Sequence, residues 1–250
     1  MKDQYFGDIG DYGKYGLLRF LCGSGLSVGA NWYLTPNDGR TDGCHTEYLE
    51  NASMRAYDPE LFDFLKSAAG KTGKSVAEIE DSALLQDVRF FNEMMGFDSI
   101  YDCKLRAEAR NKWHERALNA LSNCELVFAD PDNGLSERKK PTQRDAQKFI
   151  LPNEIRDYFS RGQQIVYYHH KPRKDAAGWM KDKTMILNTL PKAKLLAVSF
   201  NRWSCRTYIF VLREEQHERY AGLLAEFLNT NWGNLEVGGK KAFVEEELNY

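Results

Sequence analysis

The chain has 250 residues, of which 42% are hydrophobic, 28% are charged and 13% are aromatic, and its net charge is −2. This composition excludes a disordered or fibrous protein, and the length allows one large α/β domain or two small ones. A net charge so near zero creates no global field, so nucleic acid must be bound by a local basic patch. No apolar stretch reaches the roughly 18 residues that span a bilayer, and the first residues lack a signal-peptide pattern. We therefore expect a cytoplasmic protein without membrane contact.

The predicted elements begin with a helix over 12–21 and a strand over 26–34 that leads into a polar loop. The region 46–121 is predicted to be mostly helical, with helices over 47–54, 59–69, 81–95 and 105–121 and a capping-box start at Ser75. The remaining elements alternate: a strand over 125–129, a helix over 152–161, a strand over 163–168, a helix over 176–190, a hairpin over 194–212 and a helix over 214–228.

Strands that alternate with helices predict a doubly wound α/β fold, in which helices cover both faces of a mainly parallel sheet. The hairpin near the C-terminus adds antiparallel strands. Because no linker or repeat interrupts the pattern, we expect a single domain over 1–250, with 46–121 as a helical insertion or cap.

Polar residues follow three of the predicted strands. In an open parallel sheet, ligands bind in the crevice outside the carboxyl ends of the strands. The three groups are Asn37, Asp38 and Asp42; Asp130, Asp132 and Asn133; and His169, His170, Lys171 and Arg173. Each group alone is compatible with turn chemistry or with a core histidine. The agreement of three loops favours a functional site at this edge.

Three segments carry a family resemblance. The sequence DIGDYGKYGLLRFL places Asp8, Asp11 and Lys14 ahead of an apolar helix, ANWYLTPNDGRTDG joins a strand to an acidic loop with glycines, and Asp130-Pro131-Asp132-Asn133 follows a later strand. In this order they resemble the Rossmann-like S-adenosylmethionine-dependent methyltransferases, most closely the large-subunit ribosomal RNA adenine-N6 methyltransferases. The resemblance places the catalytic tetrapeptide of that family at 130–133.

The resemblance implies S-adenosylmethionine as the cofactor. The residues that would surround it are Asp11, Lys14, Asn37, Asp38, Gly39, Asp42 and Gly43. Two departures from the family pattern stand out: the cofactor loop is more acidic, and the tetrapeptide lacks its second proline and its aromatic ring. Asn133 cannot stack on a flipped base, so an aromatic wall would come from Tyr167 or Tyr168.

The leading hypothesis is therefore a methyltransferase-like enzyme that acts on nucleic acid. Asp130 and Asn133 would hold the acceptor. The basic residues that would contact phosphates are Arg138, Lys139, Lys140, Lys171 and Arg173.

Two alternatives stay open. The first is a metal-dependent phosphodiesterase or nuclease, in which His169 or His170 is a general acid or base. The carboxylates that would bind Mg²⁺ or Mn²⁺ are Asp8, Asp11, Asp38, Asp130 and Asp132. The second is a binding protein that keeps the fold without the chemistry.

Overall fold

The structure is a computed structural model that describes residues 1–39, 45–70, 73–171 and 174–249. Within these residues the main sheet has seven strands: β1 (Val28–Asn31), β2 (Val88–Phe91), β3 (Leu126–Ala129), β4 (Gln164–His170), β5 (Lys194–Arg202), β6 (Ser204–Leu212) and β9 (Phe243–Glu245). Their order in the sheet is β2-β1-β3-β4-β6-β5-β9. Strands β1 to β4 are parallel, and β6, β5 and β9 pair in antiparallel fashion. A separate ribbon joins β7 (Glu236–Val237) and β8 (Lys240–Lys241).

The helices are α1 (Ile9–Gly23), α2 (Pro59–Ala69), α3 (Ala77–Glu80), α4 (Cys103–Ala120), α5 (Pro152–Ser160), α6 (Ala176–Thr184), α7 (His217–Leu228) and α8 (Asn231–Asn234). An aspartate side chain caps the first turn of four of them, at Asp8, Asp58, Asp102 and Asp175. Proline opens α2 and α5, where its missing N–H costs nothing.

Two hydrophobic clusters pack against the two faces of the sheet. Side chains alternate along β3, so Phe128 joins one cluster with residues of α1 and α7, and Val127 joins the other with residues of α4 and α5. The sheet is therefore covered on both faces.

The helix predicted over 81–95 is wrong, because Val88–Phe91 forms β2 and pairs in parallel with β1. A short apolar run fits both periods, and pairing with β1 decides between them. The region 46–121 therefore supplies an edge strand as well as helices. The helices predicted over 59–69 and 105–121 are confirmed as α2 and α4. The strand predicted over 163–168 continues to His170.

Three glycines on one face of α1 allow close packing, two of them against the hairpin of β5 and β6 and one against α8. A Cβ atom on Gly10 would lie 2.4 Å from the Arg206 guanidinium, and one on Gly13 would lie 2.7 Å from the Phe200 ring. A Cβ atom on Gly16 would lie 2.3 Å from the Trp232 ring. This packing brings Arg206 across the amino-terminal turn of α1.

Candidate functional site

A cavity of about 600 Å³ lies where β3 and β4 end, beside the first turns of α1. We call it the crevice. Its volume is in the range of small-molecule sites. Its lining contains nine of the predicted site residues: Asp8, Asp11, Lys14, Asp38, Asp130, Pro131, Asp132, Asn133 and His170.

Lys14 forms ion pairs with two crevice carboxylates, one on α1 and one at the end of β3. Its Nζ lies 2.7 Å from Asp11 Oδ1, one helical turn away, and 2.6 Å from Asp130 Oδ2 at the end of β3. The ammonium also lies over the rings of Tyr15 and Trp32, at 5.2 and 5.4 Å. Burial alone would lower the pKa of Lys14, but the two carboxylates hold it above its ordinary value. Lys14 is therefore a cation at neutral pH.

Asp130 has one carboxylate oxygen that no described side chain bonds. Among the described residues only Oδ2 accepts a side-chain hydrogen bond, from Lys14, while the backbone N–H donates to Asn31 O at 3.0 Å. The residue is 6% exposed, and that exposure is to the crevice. Asp130 Oδ1 is thus available to accept a hydrogen bond from a molecule bound there.

Asp8 and Arg206 form a second charged pair in the crevice, with Arg206 Nη2 3.7 Å from Asp8 Oδ2. Burial and the nearby charge of Asp11 raise the pKa of Asp8 to about 7, although Arg206 acts in the opposite direction. A carboxyl group with such a pKa exchanges a proton near neutral pH, which is the property of a general acid or base.

Asp132 and Asp38 are paired with Lys2. Its Nζ lies 2.7 Å from Asp38 Oδ2 and 3.6 Å from Asp132 Oδ2. Burial opposes ionisation of Asp132, but the Met1 amino group and Lys2 hold its pKa below the ordinary value. The carboxylates of the crevice are therefore matched by cations from α1, from residue 2 and from β6.

The turn after Pro131 is fixed by its neighbours. Gly134 has φ +92°, and a Cβ atom there would lie 2.3 Å from His169 Nδ1, so only glycine fits. The next N–H, of Leu135, donates to that same His169 nitrogen at 3.1 Å. Asn133 N donates to Lys148 O at 2.9 Å. These contacts aim the polar side chains before Gly134 at the crevice.

The two histidines point to opposite faces of the sheet because both belong to β4. His169 is buried, stacks on Trp179 and supports the turn. Burial lowers its pKa to about 4, so it is neutral at pH 7. His170 lines the crevice, and its Nδ1 lies 3.1 Å from Tyr168 OH. Of the pair, His170 is placed to contact a ligand in the crevice.

Tyr168 forms an aromatic wall of the crevice, as the sequence allowed. Tyr167 faces the other side of the strand and is fully buried. Three aromatic residues that the sequence did not single out also line the crevice: Tyr5, Trp203 and Tyr208. The spacing of three between the glycines of α1 indicates close packing of another segment there, but it does not identify Arg206.

Other predicted residues lie outside the crevice. Asn37 accepts a hydrogen bond from Gln4 N at 3.0 Å, and Gly39 is exposed with φ +68°. Arg138 lines a separate cavity of about 350 Å³ with His169, and Lys139 pairs with Asp145. Lys140 is exposed, and Lys171 lies over the Trp179 ring at 5.6 Å. Asp42, Gly43 and Arg173 lie outside the described residues.

Neither a metal-ligand cluster nor a membrane-spanning helix is present among the described residues. In residues 1–39, 45–70, 73–171 and 174–249, no group of three His, Cys, Asp or Glu side chains is arranged to hold a metal ion. Within those ranges, no helix combines the length and the apolar character needed to cross a bilayer.

Comparisons with known proteins identify no family for this chain. No protein-family model matches the chain, and no curated protein matches it. Among solved structures, it is similar to the crystal structure of protein LPL1258 from Legionella pneumophila str. Philadelphia 1, of the family model DUF519. The similarity covers 96% of each chain, with 14% sequence identity and a TM-score of 0.43. A TM-score of this size carries no argument about either chain.

Proposed function

We propose that this protein is a methyltransferase-like enzyme with a doubly wound, Rossmann-like fold that uses S-adenosylmethionine and acts on an amine of a nucleic-acid base. The observation that carries the proposal is the position of Asp130: its carboxylate ends a central parallel strand, faces a cavity and keeps one oxygen without a partner among the described side chains. The antiparallel β6 beside β4 agrees with the hairpin that the methyltransferase resemblance implies.

The donor set of the crevice fits such a cofactor. Carboxylates bind its hydroxyl and ammonium groups, and Asp38 lies at the crevice margin with 29% of its side chain exposed. Next to it Gly39 leaves open space where a side chain would stand. The end of β1 differs from a bare glycine loop, because Trp32 and Tyr33 are buried there. Asp38, Gly39 and Asp11 would therefore hold the cofactor, with side chains contributing more than backbone.

S-adenosylmethionine would supply an electrophilic methyl group. Asp130 Oδ1 would accept a hydrogen bond from the exocyclic amine of the acceptor base and orient its lone pair. Lys14 fixes the carboxylate by its bond to Oδ2, so the orientation costs little when the base arrives. Tyr168 would stack on the base, and Asn133 has an amide group that can bond to the base edge.

Calorimetric titration with S-adenosylmethionine tests the cofactor assignment. We expect binding below millimolar concentration by the wild type and by Asp98→Asn, which changes an exposed carboxylate outside the crevice. Asp38→Asn is expected to bind more weakly. Saturation at 1,000 times the dissociation constant should add about 4 kcal/mol to the free energy of unfolding. No heat at millimolar cofactor would contradict the proposal.

Incubation of the protein with DNA or RNA and Mg²⁺ or Mn²⁺ tests the nuclease alternative. Cleavage that Asp130→Asn abolishes would replace the methyltransferase proposal. If no ligand changes the melting temperature and no nucleic acid is altered, the result favours the hypothesis of an inactive binding protein.

A further inference from the structure

Trp203 lines the crevice with a largely exposed side chain and an unfavourable backbone conformation. It occupies the tip of the hairpin between β5 and β6, its φ is +63°, and 74% of its surface is exposed. The left-handed region is unfavourable for a bulky side chain, and exposure of a large ring gains no burial energy. The ring contacts His45, with centroids 4.1 Å apart. Folding therefore gains little from a tryptophan here, which points to a role in binding.

Two exposed lysines line a cavity together with this ring. Trp203 and Ser204 belong to the crevice and also to a neighbouring cavity of about 530 Å³, whose lining includes Lys240 and Lys241. No carboxylate of the described chain lies within 4 Å of either ammonium. Arg202 Nη2 donates to Lys240 O at 2.5 Å, which ties the lysines to the hairpin tip. The surface thus holds an aromatic ring and two lysines, and it is continuous with the crevice.

We propose that single-stranded nucleic acid binds along this surface, with an unpaired base stacked on Trp203 and the adjoining phosphates at Lys240 and Lys241. The occupant follows from the chemistry. Every base has a face that stacks on an aromatic ring, and lysines bind phosphates without regard to sequence. A duplex keeps its bases stacked on one another, so it offers no free face to Trp203. The identity of the base in the crevice rests on the proposed function; the contact with Trp203 does not.

Fluorescence anisotropy with labelled 12-nucleotide single strands of DNA and RNA, without S-adenosylmethionine, measures this binding. Trp203→Gly is the decisive variant, because glycine adopts φ +63° without strain. We expect it to weaken single-strand binding about 10-fold or more, while its melting temperature stays at or above that of the wild type. Tyr101→Ala removes another exposed ring, 86% exposed and packed near Arg144, and should bind like the wild type.

Salt dependence tests the lysines. In the double variant Lys240→Gln, Lys241→Gln, the slope of log affinity against log salt should fall by about 1.4, or about 0.7 for each phosphate contact. The double variant Lys112→Gln, Lys192→Gln, which changes two exposed lysines elsewhere, should leave the slope unchanged.

The inference is overturned if a duplex of the same length or an acidic peptide binds as tightly as the single strand. Equal losses in Trp203→Gly and Tyr101→Ala would overturn it too. Failure of S-adenosylmethionine to bind, with Trp203-dependent binding intact, would remove the proposed function and leave this surface standing. Cofactor binding without single-strand binding would do the reverse.

Discussion

Two buried ionic groups of this protein have different surroundings. Arg110 on α4 uses its guanidinium within the protein: it bonds Glu154 at 2.7 and 2.9 Å, and Ala146 O and Phe149 O at 2.7 Å. Lys14 on α1 is equally buried, but the carboxylates that it bonds line the crevice. A buried pair whose polar atoms are all used holds structure, whereas one that faces a cavity can also bind a ligand. The following changes separate these roles.

The largest effect on stability is expected for Arg110→Met. It leaves the Glu154 carboxylate buried without its cation and frees two carbonyl groups, at a cost of about 3–5 kcal/mol. Urea unfolding measures this cost. Arg116→Met on the same helix is the control, since its pair with Glu93 is exposed and should contribute at most about 1 kcal/mol. Similar losses in both variants would contradict a structural role for Arg110.

Lys14→Met should cost less stability, on the order of 1–3 kcal/mol, because water in the crevice can reach Asp130 and because Asp11 keeps bonds from Gly7 N and Tyr15 OH. Binding of S-adenosylmethionine should weaken, since Asp11, which would hold the cofactor, loses its ion pair with Lys14. Titration of the folded variant with S-adenosylmethionine checks this. Ligand binding that survives Lys14→Met but not Arg110→Met would reverse the comparison.

The pH dependence of stability reports on Asp8. Its folded pKa of about 7 lies above the ordinary 3.8, so the folded state holds a proton that the unfolded state releases. The contribution of this proton to the free energy of unfolding is fully present below pH 3.8 and is lost as pH rises through 7. His169, whose pKa falls from 6.5 to about 4, acts with the opposite sign over much of the same range. The comparison with Asp8→Asn therefore isolates the effect: relative to wild type, the variant should gain stability from pH 4 to pH 8. A constant difference in urea unfolding would show that Asp8 has an ordinary pKa.

Gly10→Ala should have the smallest effect on stability, below about 1 kcal/mol, because the gain in helix propensity opposes the displacement of Arg206. The guanidinium must move away from Asp8, so we expect weaker nucleic-acid binding in the crevice. Gly222→Ala on α7, which meets no atom within 4 Å, is the matched control and should stabilise the protein without changing binding.

The sequence predicted the parts of the site that depend on local order. The polar turn at 130–134 follows an apolar run, and parallel pairing puts strand ends at one edge, so Asp130 and Asn133 were identifiable. The direction of His169 and His170 was not, because it depends on β4 continuing through both residues.

Contacts between distant segments were missed for a related reason. Arg206 and Trp203 reach the crevice through the register of an antiparallel hairpin about 190 residues after α1 begins, and that register is set by packing. Val88–Phe91 was mistaken for helix because only its pairing with β1 makes it a strand. The basic residues Arg138 and Lys171 were predicted as phosphate contacts; they lie near the cavity that contains His169, and that assignment stays a prediction.

The most direct test of the account is transfer of a labelled methyl group from S-adenosylmethionine to single-stranded DNA or RNA. The wild type and Asp98→Asn should transfer it at the same rate. Asp130→Asn should fall by about 100-fold or more, because its amide cannot provide the charged acceptor fixed by Lys14. Transfer by Asp130→Asn at the wild-type rate, or no transfer by a wild type that binds both ligands, would contradict the assignment of Asp130 as the residue that orients the acceptor amine.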